Sequence, residues 1–159
     1  MFFPLFADLS GKEILVVGAG RIAERRIRAL DGFAAHITVV APDILPEILP
    51  KDGNEGALLS VFHRSFIETD LEGKDLVLAA TNDAALNRYI RELCQEKNLP
   101  VNVCTDASLC DFQFPSIIEC GKVVIGLNAS GQDHHLVKET RKKAEAILDG
   151  EGIQSRYSG

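Results

Sequence analysis

A glycine-rich turn near the start of the chain constrains the fold more than any other feature of the sequence. The turn has the pattern GxGxxA over residues 18–23, and it lies between the segment 12–17, which ends in a continuous apolar run, and a helical stretch at 22–30. A second β-branched run follows at residues 36–41 and is stopped by Pro42. A strand, a glycine turn, a helix and a strand within about thirty residues predict the βαβ unit of a parallel sheet.

The small residues of this turn each have a physical role in binding a dinucleotide. Gly18 allows the tight turn, Gly20 lets the backbone approach a pyrophosphate, and Ala23 lets the helix and the strand pack closely. The helix N-terminus presents free N–H groups and the positive end of its dipole to the phosphates. The pattern therefore predicts nucleotide binding, and the alternative is a turn that only packs tightly.

The residues that follow the second strand bear on which dinucleotide is bound. An acidic residue normally stands at the end of this strand and bonds the ribose. Here Ala41 and Pro42 occupy that point and Asp43 follows. Asp43 can still reach a ribose hydroxyl, which favours NAD over NADP. Arg21 and Arg25 weaken this preference because guanidinium groups suit a 2′-phosphate, unless they belong to a solvated helix face.

Further strands and a helix continue the alternation. Strands are predicted at residues 58–62, 75–80 and 100–104, a loop at 42–57, and a helix that begins after Asn82 or Asp83, ends near Lys97 and stops at Asn98. Strands that are apolar on both faces are typical of parallel sheets. The fold class predicted is α/β, with a Rossmann-type doubly wound parallel sheet.

The pattern changes near Phe114. Two short apolar runs joined at Cys120-Gly121 predict a hairpin, and residues 133–148 predict a charged amphipathic helix. We therefore expect two parts: residues 1–114 as an NAD-binding Rossmann domain, and residues 115–159 as a small dimerisation hairpin and the start of a helical segment.

Composition and charge exclude several classes of protein. The chain has 159 residues, 46% hydrophobic and 25% charged, which suits one ordinary domain with a small appendage. A net charge of −6 argues against a nucleic-acid binder. No apolar run approaches the roughly 20 residues of a membrane helix. The start lacks the basic region of a secretory signal, so we expect a cytoplasmic protein. Its four cysteines are expected to be free thiols, and a ligand or redox role stays open for Cys104 and Cys110.

Several segments, taken together, resemble one family. They are Pro4–Leu9 before the first strand, Gly18–Arg26 at the turn and helix, Ala79–Asp83, Asn102-Val103, and Leu109–Ser116 before the hairpin. Over about residues 3–145 the chain resembles the precorrin-2 dehydrogenase / sirohydrochlorin ferrochelatase family, the N-terminal module of sirohaem synthase. The resemblance implies NAD-dependent oxidation of precorrin-2, a tetrapyrrole, to sirohydrochlorin by a homodimer, and in bifunctional members the insertion of iron.

The resemblance also implies a set of NAD contacts at the carboxyl ends of the strands. By matching position they are Gly18, Gly20, Arg21, Ile22, Pro42, Asp43, Thr81 and Asn102. Ligands bind at this edge of a doubly wound sheet, so the physical expectation agrees. No residue is assigned to a resident metal.

One position departs from the family at the expected catalytic point. In bifunctional members an aspartate follows Asn-Val-x on the fifth strand and is implicated in both activities. Here Thr105 stands at that position and the aspartate comes one residue later, at Asp106. Asp106 is the first candidate for a catalytic base, with a turn or cap carboxylate as the alternative. His134 is the second candidate, as a base or a single iron ligand. Metal insertion requires a group that removes the pyrrole N–H protons, and the Thr105 hydroxyl cannot do this because an alkyl hydroxyl stays protonated at neutral pH. Oxidation depends mainly on the placement of the cofactor, so we expect oxidation to persist and metal insertion to be weak or absent.

A different class of function stays open from the sequence. A Rossmann module can bind NAD(H) as a regulatory domain without chemistry, and Thr105 favours that interpretation, as does a chain that stops at Gly159 before most of the implied helical tail. The segment 110–115 favours the dehydrogenase because a sensing module does not need it. A substrate with eight carboxylates requires basic groups, and three residues of the last helix either supply them in a dimer or form a solvated face: Lys138, Arg141 and Lys142.

Overall fold

A computed structural model of the chain describes residues 3–33, 35–49, 58–130, 133–150 and 155–158. The chain divides into two compact units, one of residues 8–112 and one in which residues 1–7 join residues 113–159. The expected boundary at residue 114 lies beside this division. The role of residues 115–159 in dimerisation stays a prediction.

The larger unit is built on a five-stranded parallel sheet. Its strands are β1 (Glu13–Val17), β2 (His36–Ala41), β3 (Leu58–His63), β4 (Leu76–Ala79) and β5 (Val101–Val103), and its helices are α1 (Arg21–Leu30) and α2 (Ala84–Glu96). The strand order is β3-β2-β1-β4-β5, with every neighbouring pair parallel. The predicted Rossmann-type fold is confirmed. The order reverses between β1 and β4, which is where such sheets bind ligands.

The core of this unit lies on the central strands. Ile14, Leu15 and Val16 of β1 are fully buried, because β1 has a strand on each side and apolar residues above and below it. Ile90 and Cys94 of α2 are also fully buried and belong to the same apolar cluster as Leu15. The packing of α2 on the buried centre of the sheet therefore holds the strand ends in fixed positions.

Short 3-10 helices occupy several connections in this unit. They are Asp31–Phe33, Pro46–Ile48, Glu68–Leu71 and Ala107–Leu109. The loop predicted at residues 42–57 contains the short helix Pro46–Ile48, and residues 50–57 of that prediction lie outside the described residues.

Over its described residues, the smaller unit contains a three-stranded antiparallel sheet and one helix. Its elements are β6 (Ser116–Cys120), β7 (Val123–Leu127), α3 (His134–Gly150) and β8 (Ser155–Ser158), with the strand order β7-β6-β8. The predicted hairpin and helix are confirmed. The third strand, β8, is a correction to the hairpin prediction: Ser155–Ser158 has no alternating apolar pattern and is defined by its pairing with β6.

Candidate functional site

The glycine turn lies where three strands end. Gly18 has φ 102°, and its N–H donates to the carbonyl oxygen of Val40 at the end of β2 at 2.9 Å. A Cβ atom on Gly18 would lie 2.5 Å from the carbonyl oxygen of Ala80, just after β4. Both the left-handed backbone and the close approach of β4 therefore require glycine here.

Gly20 is glycine for a different reason. Its backbone has φ −86° and ψ −172°, which any residue adopts, and a Cβ atom there would meet nothing within 4 Å. Gly20 is the N-cap of α1, so the N-cap position has no side chain to cover the first-turn N–H groups, and Arg21 and Ile22 beside it are exposed. The open space before a helix N-terminus fits a pyrophosphate, and among the described residues no contact requires glycine at this position.

The loop after β2 is fixed to this turn. The N–H of Leu45 donates to the carbonyl oxygen of Ala19 at 3.1 Å. Pro42 and Asp43, at the start of the loop, are exposed. Asp43 is therefore exposed on a loop that is bonded to the glycine turn, and its contact with a ribose stays a prediction.

Thr81, after β4, is held by a buried asparagine that the sequence analysis missed. Asn87 on α2 is 1% exposed. Its Oδ1 accepts from the Thr81 N–H at 3.2 Å and from the Thr81 hydroxyl at 2.7 Å, and its Nδ2 donates to the Thr81 carbonyl at 3.0 Å. Nδ2 also donates to Oγ1 of Thr105 at 3.1 Å. One side chain thus joins the ends of β4 and β5.

A sequence signal for Asn87 did exist. Asn87, Ile90 and Cys94 are spaced by three and then four residues, so they share one face of α2. A lone amide on an otherwise apolar face must find partners when it is buried. The pattern indicates that it is bonded, but not to what, because its partners lie on two other elements.

Asn102 on β5 is 4% exposed. Its Nδ2 donates to the carbonyl oxygen of Phe112 at 2.8 Å, and its Oδ1 accepts from the Cys104 thiol at 3.4 Å. These bonds tie the segment that follows β5 back onto the strand. The predicted contact between Asn102 and NAD stays a prediction.

The two predicted catalytic residues are placed very differently. β5 ends at Val103, so Asp106 lies on the loop, where it caps the 3-10 helix Ala107–Leu109. Its carboxylate accepts from the Ser108 N–H at 3.0 Å and the Ser108 hydroxyl at 2.6 Å, and the hydroxyl bond is the main reason that its pKa is lowered. This is the geometry of a cap carboxylate, and a lowered pKa makes a weaker base. His134 begins α3, and its side chain lies outside the described residues.

Comparison with known proteins assigns the chain to a family. A family model described as putative NAD(P)-binding matches residues 5–116. The chain belongs to this NAD(P)-binding family. The match covers the whole parallel sheet and the glycine turn.

The resemblance to sirohaem synthases is also confirmed. The siroheme synthase of Psychrobacter sp. (strain PRwf-1) is 35% identical over 158 residues, which are 99% of this chain and 32% of that protein. The siroheme synthase of Thioalkalivibrio sulfidiphilus (strain HL-EbGR7) is 34% identical over 147 residues, 92% of this chain and 30% of that protein. The chain thus spans about a third of the length of these curated relatives.

A solved structure has the same fold. The structure titled "SirC, precorrin-2 dehydrogenase" matches with a TM-score of 0.77 and 29% identity, over 92% of this chain and 71% of that chain. Together with the NAD(P)-binding family match, it confirms the predicted dinucleotide cofactor, and the space at Gly20 fits such a group. The individual contacts with it stay predictions.

The thiols near this edge are not activated. Cys104 and Cys110 are free, and burial raises the pKa of each, which is opposite to what a reactive thiolate needs. Over the described ranges, no three His, Cys, Asp or Glu side chains are grouped to hold a metal ion. Within the same ranges, no helix has the length and apolar character needed to cross a membrane.

Two of the predicted basic groups on α3 are exposed and two form ion pairs along the helix. Lys138 and Lys142 are exposed, Lys142 lies 3.9 Å from the Glu139 carboxylate, and Arg141 bonds Glu145 one turn later at 3.2 Å. Their contact with an anionic substrate stays a prediction.

Proposed function

We propose that this chain oxidises precorrin-2 to sirohydrochlorin in sirohaem biosynthesis, with NAD as the hydride acceptor. The observation that carries the proposal is the uncovered turn at Gly20, open at the switch point between β1 and β4. The relatives named siroheme synthase and the structure titled precorrin-2 dehydrogenase support this substrate. As part of the same proposal, the chain acts as a cytoplasmic homodimer.

Each part of the site has a role in this reaction. The first-turn N–H groups of α1, uncovered because Gly20 has no side chain, bind the pyrophosphate. Asp43 accepts from a ribose hydroxyl. Thr81, which Asn87 holds at the end of β4, is a further contact with NAD. NAD supplies the hydride acceptor, and the chain orients it against the macrocycle.

The proposal is tested by mixing the protein with precorrin-2 and NAD under anaerobic conditions. We expect NADH absorbance to rise together with the sirohydrochlorin spectrum, in equal amounts. A protein that binds NADH tightly but forms none from precorrin-2 would instead be a non-catalytic NAD(H)-binding module, and the proposal would be rejected.

We predict that NAD is preferred over NADP. The Asp43 carboxylate accepts from the 2′-hydroxyl and repels a 2′-phosphate. Titration of both reduced cofactors measures the preference, and Asp43→Asn should reduce it. A clear preference of the unmodified chain for NADPH would mean that Arg21 and Arg25 dominate, and the role of Asp43 would be withdrawn.

We also predict that oxidation is retained while metal insertion is weak. Asp106 is committed to capping the Ala107–Leu109 helix, so Asp106→Ala should leave oxidation within a few-fold of its original rate. Thr105→Asp restores a carboxylate beside the Asn87 amide and should raise metal insertion.

The assay for metal insertion is sirohydrochlorin with Co²⁺ or Fe²⁺ under anaerobic conditions, followed by the macrocycle spectrum. A fall of about 10²-fold in either activity for Asp106→Ala would make Asp106 the base after all. Strong metal insertion that Asp106→Ala does not reduce would direct attention to His134.

A further inference from the structure

The orientation of the Asn87 amide is fixed by backbone atoms. The Thr81 N–H can only donate and the Thr81 carbonyl can only accept. The first lies 3.2 Å from Oδ1 of Asn87 and the second 3.0 Å from Nδ2. Exchanging the amide oxygen and nitrogen would set donor against donor and acceptor against acceptor, so the geometry admits one orientation.

This orientation sets the direction of the bond to Thr105. The second N–H of Nδ2 points to Oγ1 of Thr105 at 3.1 Å. Since an amide nitrogen cannot accept, the Thr105 hydroxyl is the acceptor in this bond and its own hydrogen is directed elsewhere. Among the hydrogen bonds found within the described ranges, Oγ1 of Thr105 takes part in this one, and Thr105 is exposed.

The hydroxyl of Thr81, unlike that of Thr105, has acceptors for its hydrogen inside the fold. Its oxygen accepts from the Asp83 N–H at 3.1 Å. Its hydrogen is directed to acceptors inside the fold, Oδ1 of Asn87 at 2.7 Å and the carbonyl of Asp83 at 3.0 Å. Of the two threonines that Asn87 joins, therefore, only Thr105 has a hydrogen to offer to a ligand.

We propose that Thr105 donates a hydrogen bond to a bound reactant at this edge of the sheet, and that Asn87 is the positioning residue that imposes this direction. The acceptor is a carbonyl or carboxylate oxygen, either the carboxamide of the nicotinamide or a carboxylate of the tetrapyrrole. The inference rests on the proposed function for the identity of these ligands. It gives Thr105 the role of a donor, where a carboxylate at the same position would act as an acceptor or base.

Two variants of Thr105 isolate the hydroxyl. Thr105→Val keeps the shape and removes the hydroxyl, whereas Thr105→Ser keeps the hydroxyl, and both should fold because the position is exposed. NADH is titrated by its fluorescence and sirohydrochlorin by its absorbance, each alone. We expect Thr105→Val to weaken one of them, by about 3- to 10-fold for a carboxamide and about 10-fold or more for a carboxylate, and Thr105→Ser to match the unmodified chain.

A variant of Asn87 tests the direction of the bond. In Asn87→Asp a carboxylate oxygen replaces Nδ2, so the Thr105 hydroxyl turns inward to donate to it. The Thr81 carbonyl loses its donor in the same variant, and thermal unfolding measures that loss of stability separately from ligand affinity. We expect the same ligand to lose affinity as in Thr105→Val, and the double variant to lose no more than Thr105→Val alone. A purely structural role for Asn87 would lower the affinity for both ligands and would add to the effect of Thr105→Val.

The two failures can be told apart because the titrations need no turnover. Equal affinities of Thr105→Val and Thr105→Ser for both ligands would overturn the inference even if precorrin-2 is oxidised normally. If the unmodified chain does not oxidise precorrin-2, the proposed function fails, and the NADH titration still decides whether Thr105 is a donor to the cofactor. A chain that binds neither ligand would overturn both.

Discussion

Two glycines separated by one residue are glycine for different reasons, one for the fold and one for cofactor binding. Gly18 is required by the fold, because a side chain there would collide with the carbonyl of Ala80. Gly20 has open space around it and an ordinary backbone conformation, so the fold would accept a side chain. Stability and cofactor binding can therefore be separated by mutation within a single turn.

We predict that Gly20→Val abolishes NADH binding and costs only about 1 kcal/mol of stability, as expected for a β-branched N-cap residue. Gly18→Ala should cost about 3 kcal/mol or more, since it combines a strained backbone with a close contact. Thermal unfolding and NADH fluorescence titration measure the two effects. A folded Gly20→Val protein with unchanged NADH affinity would show that the dinucleotide does not bind at this turn.

Single residues with a local role were predictable from the sequence, and those with distant partners were not. Asp83 and Asn98 act on neighbouring backbone, so their roles follow from short-range rules. Asn87 bonds residues before α2 and after β5, which only the folded sheet brings together. For Asp106 the sequence leaves a catalytic role and a cap role open, because a loop carboxylate can serve as either, and the structure shows the cap.

The end of α2 shows how one residue stops an element. Asn98 has φ 54°, its N–H donates to the carbonyl of Gln95 at 3.2 Å, and the N–H of Leu99 donates to the carbonyl of Cys94 at 2.8 Å. This pair of bonds is the Schellman arrangement, with the left-handed residue just past the helix. The predicted stop at Asn98 is confirmed.

We predict that Asn98→Gly stabilises the protein by about 0.5 kcal/mol, because glycine adopts the left-handed conformation without strain. Asn98→Val should destabilise it by about 1–2 kcal/mol. Glu92→Gly, at an exposed position inside α2, is the control and should cost about 1 kcal/mol. Urea denaturation measures all three, and equal losses for Asn98→Gly and Glu92→Gly would contradict the assignment.

Strand prediction succeeded where apolar pattern and stop signals agreed. β2 has the predicted bounds, His36–Ala41, because a β-branched run ends directly at Pro42. β8 was missed because Ser155–Ser158 is polar along its length, so its strand character comes from pairing with β6. Periodicity detects strands that bury a face and does not detect those held mainly by backbone bonds.

At the scale of the whole molecule, the smaller unit leaves apolar side chains exposed. Val123 on β7 is 58% exposed, Leu136 on α3 is 56% exposed and Ile147 on α3 is 68% exposed. β7 is an edge of its sheet. A small sheet with one helix buries little apolar area of its own, and an open edge strand is a surface for pairing.

We predict a homodimer held by residues 115–159. Val123→Lys should shift the protein toward monomer, because it places a charge on an apolar edge. Phe62→Lys is the control, because Phe62 is 45% exposed on a strand of the larger unit. This variant should have the same molar mass in solution as the unmodified protein. Light scattering at micromolar concentration decides, and a monomeric unmodified chain would contradict the prediction.

The position of β1 at the centre of the sheet has a consequence for how the chain is made. β1 is the first strand of this sheet to be synthesised, yet Ile14 pairs with Ile37 on one side and with Leu76 on the other. At about 5–20 residues per second, the second partner emerges from the ribosome seconds after the first. During that interval one edge of β1, which is apolar from Ile14 to Val17, is unpaired, and it can associate with other chains until β4 arrives. The strand order that places the glycine turn at the ends of β1 and β4 thus also leaves the β4-facing edge of β1 unpaired until β4 has been synthesised.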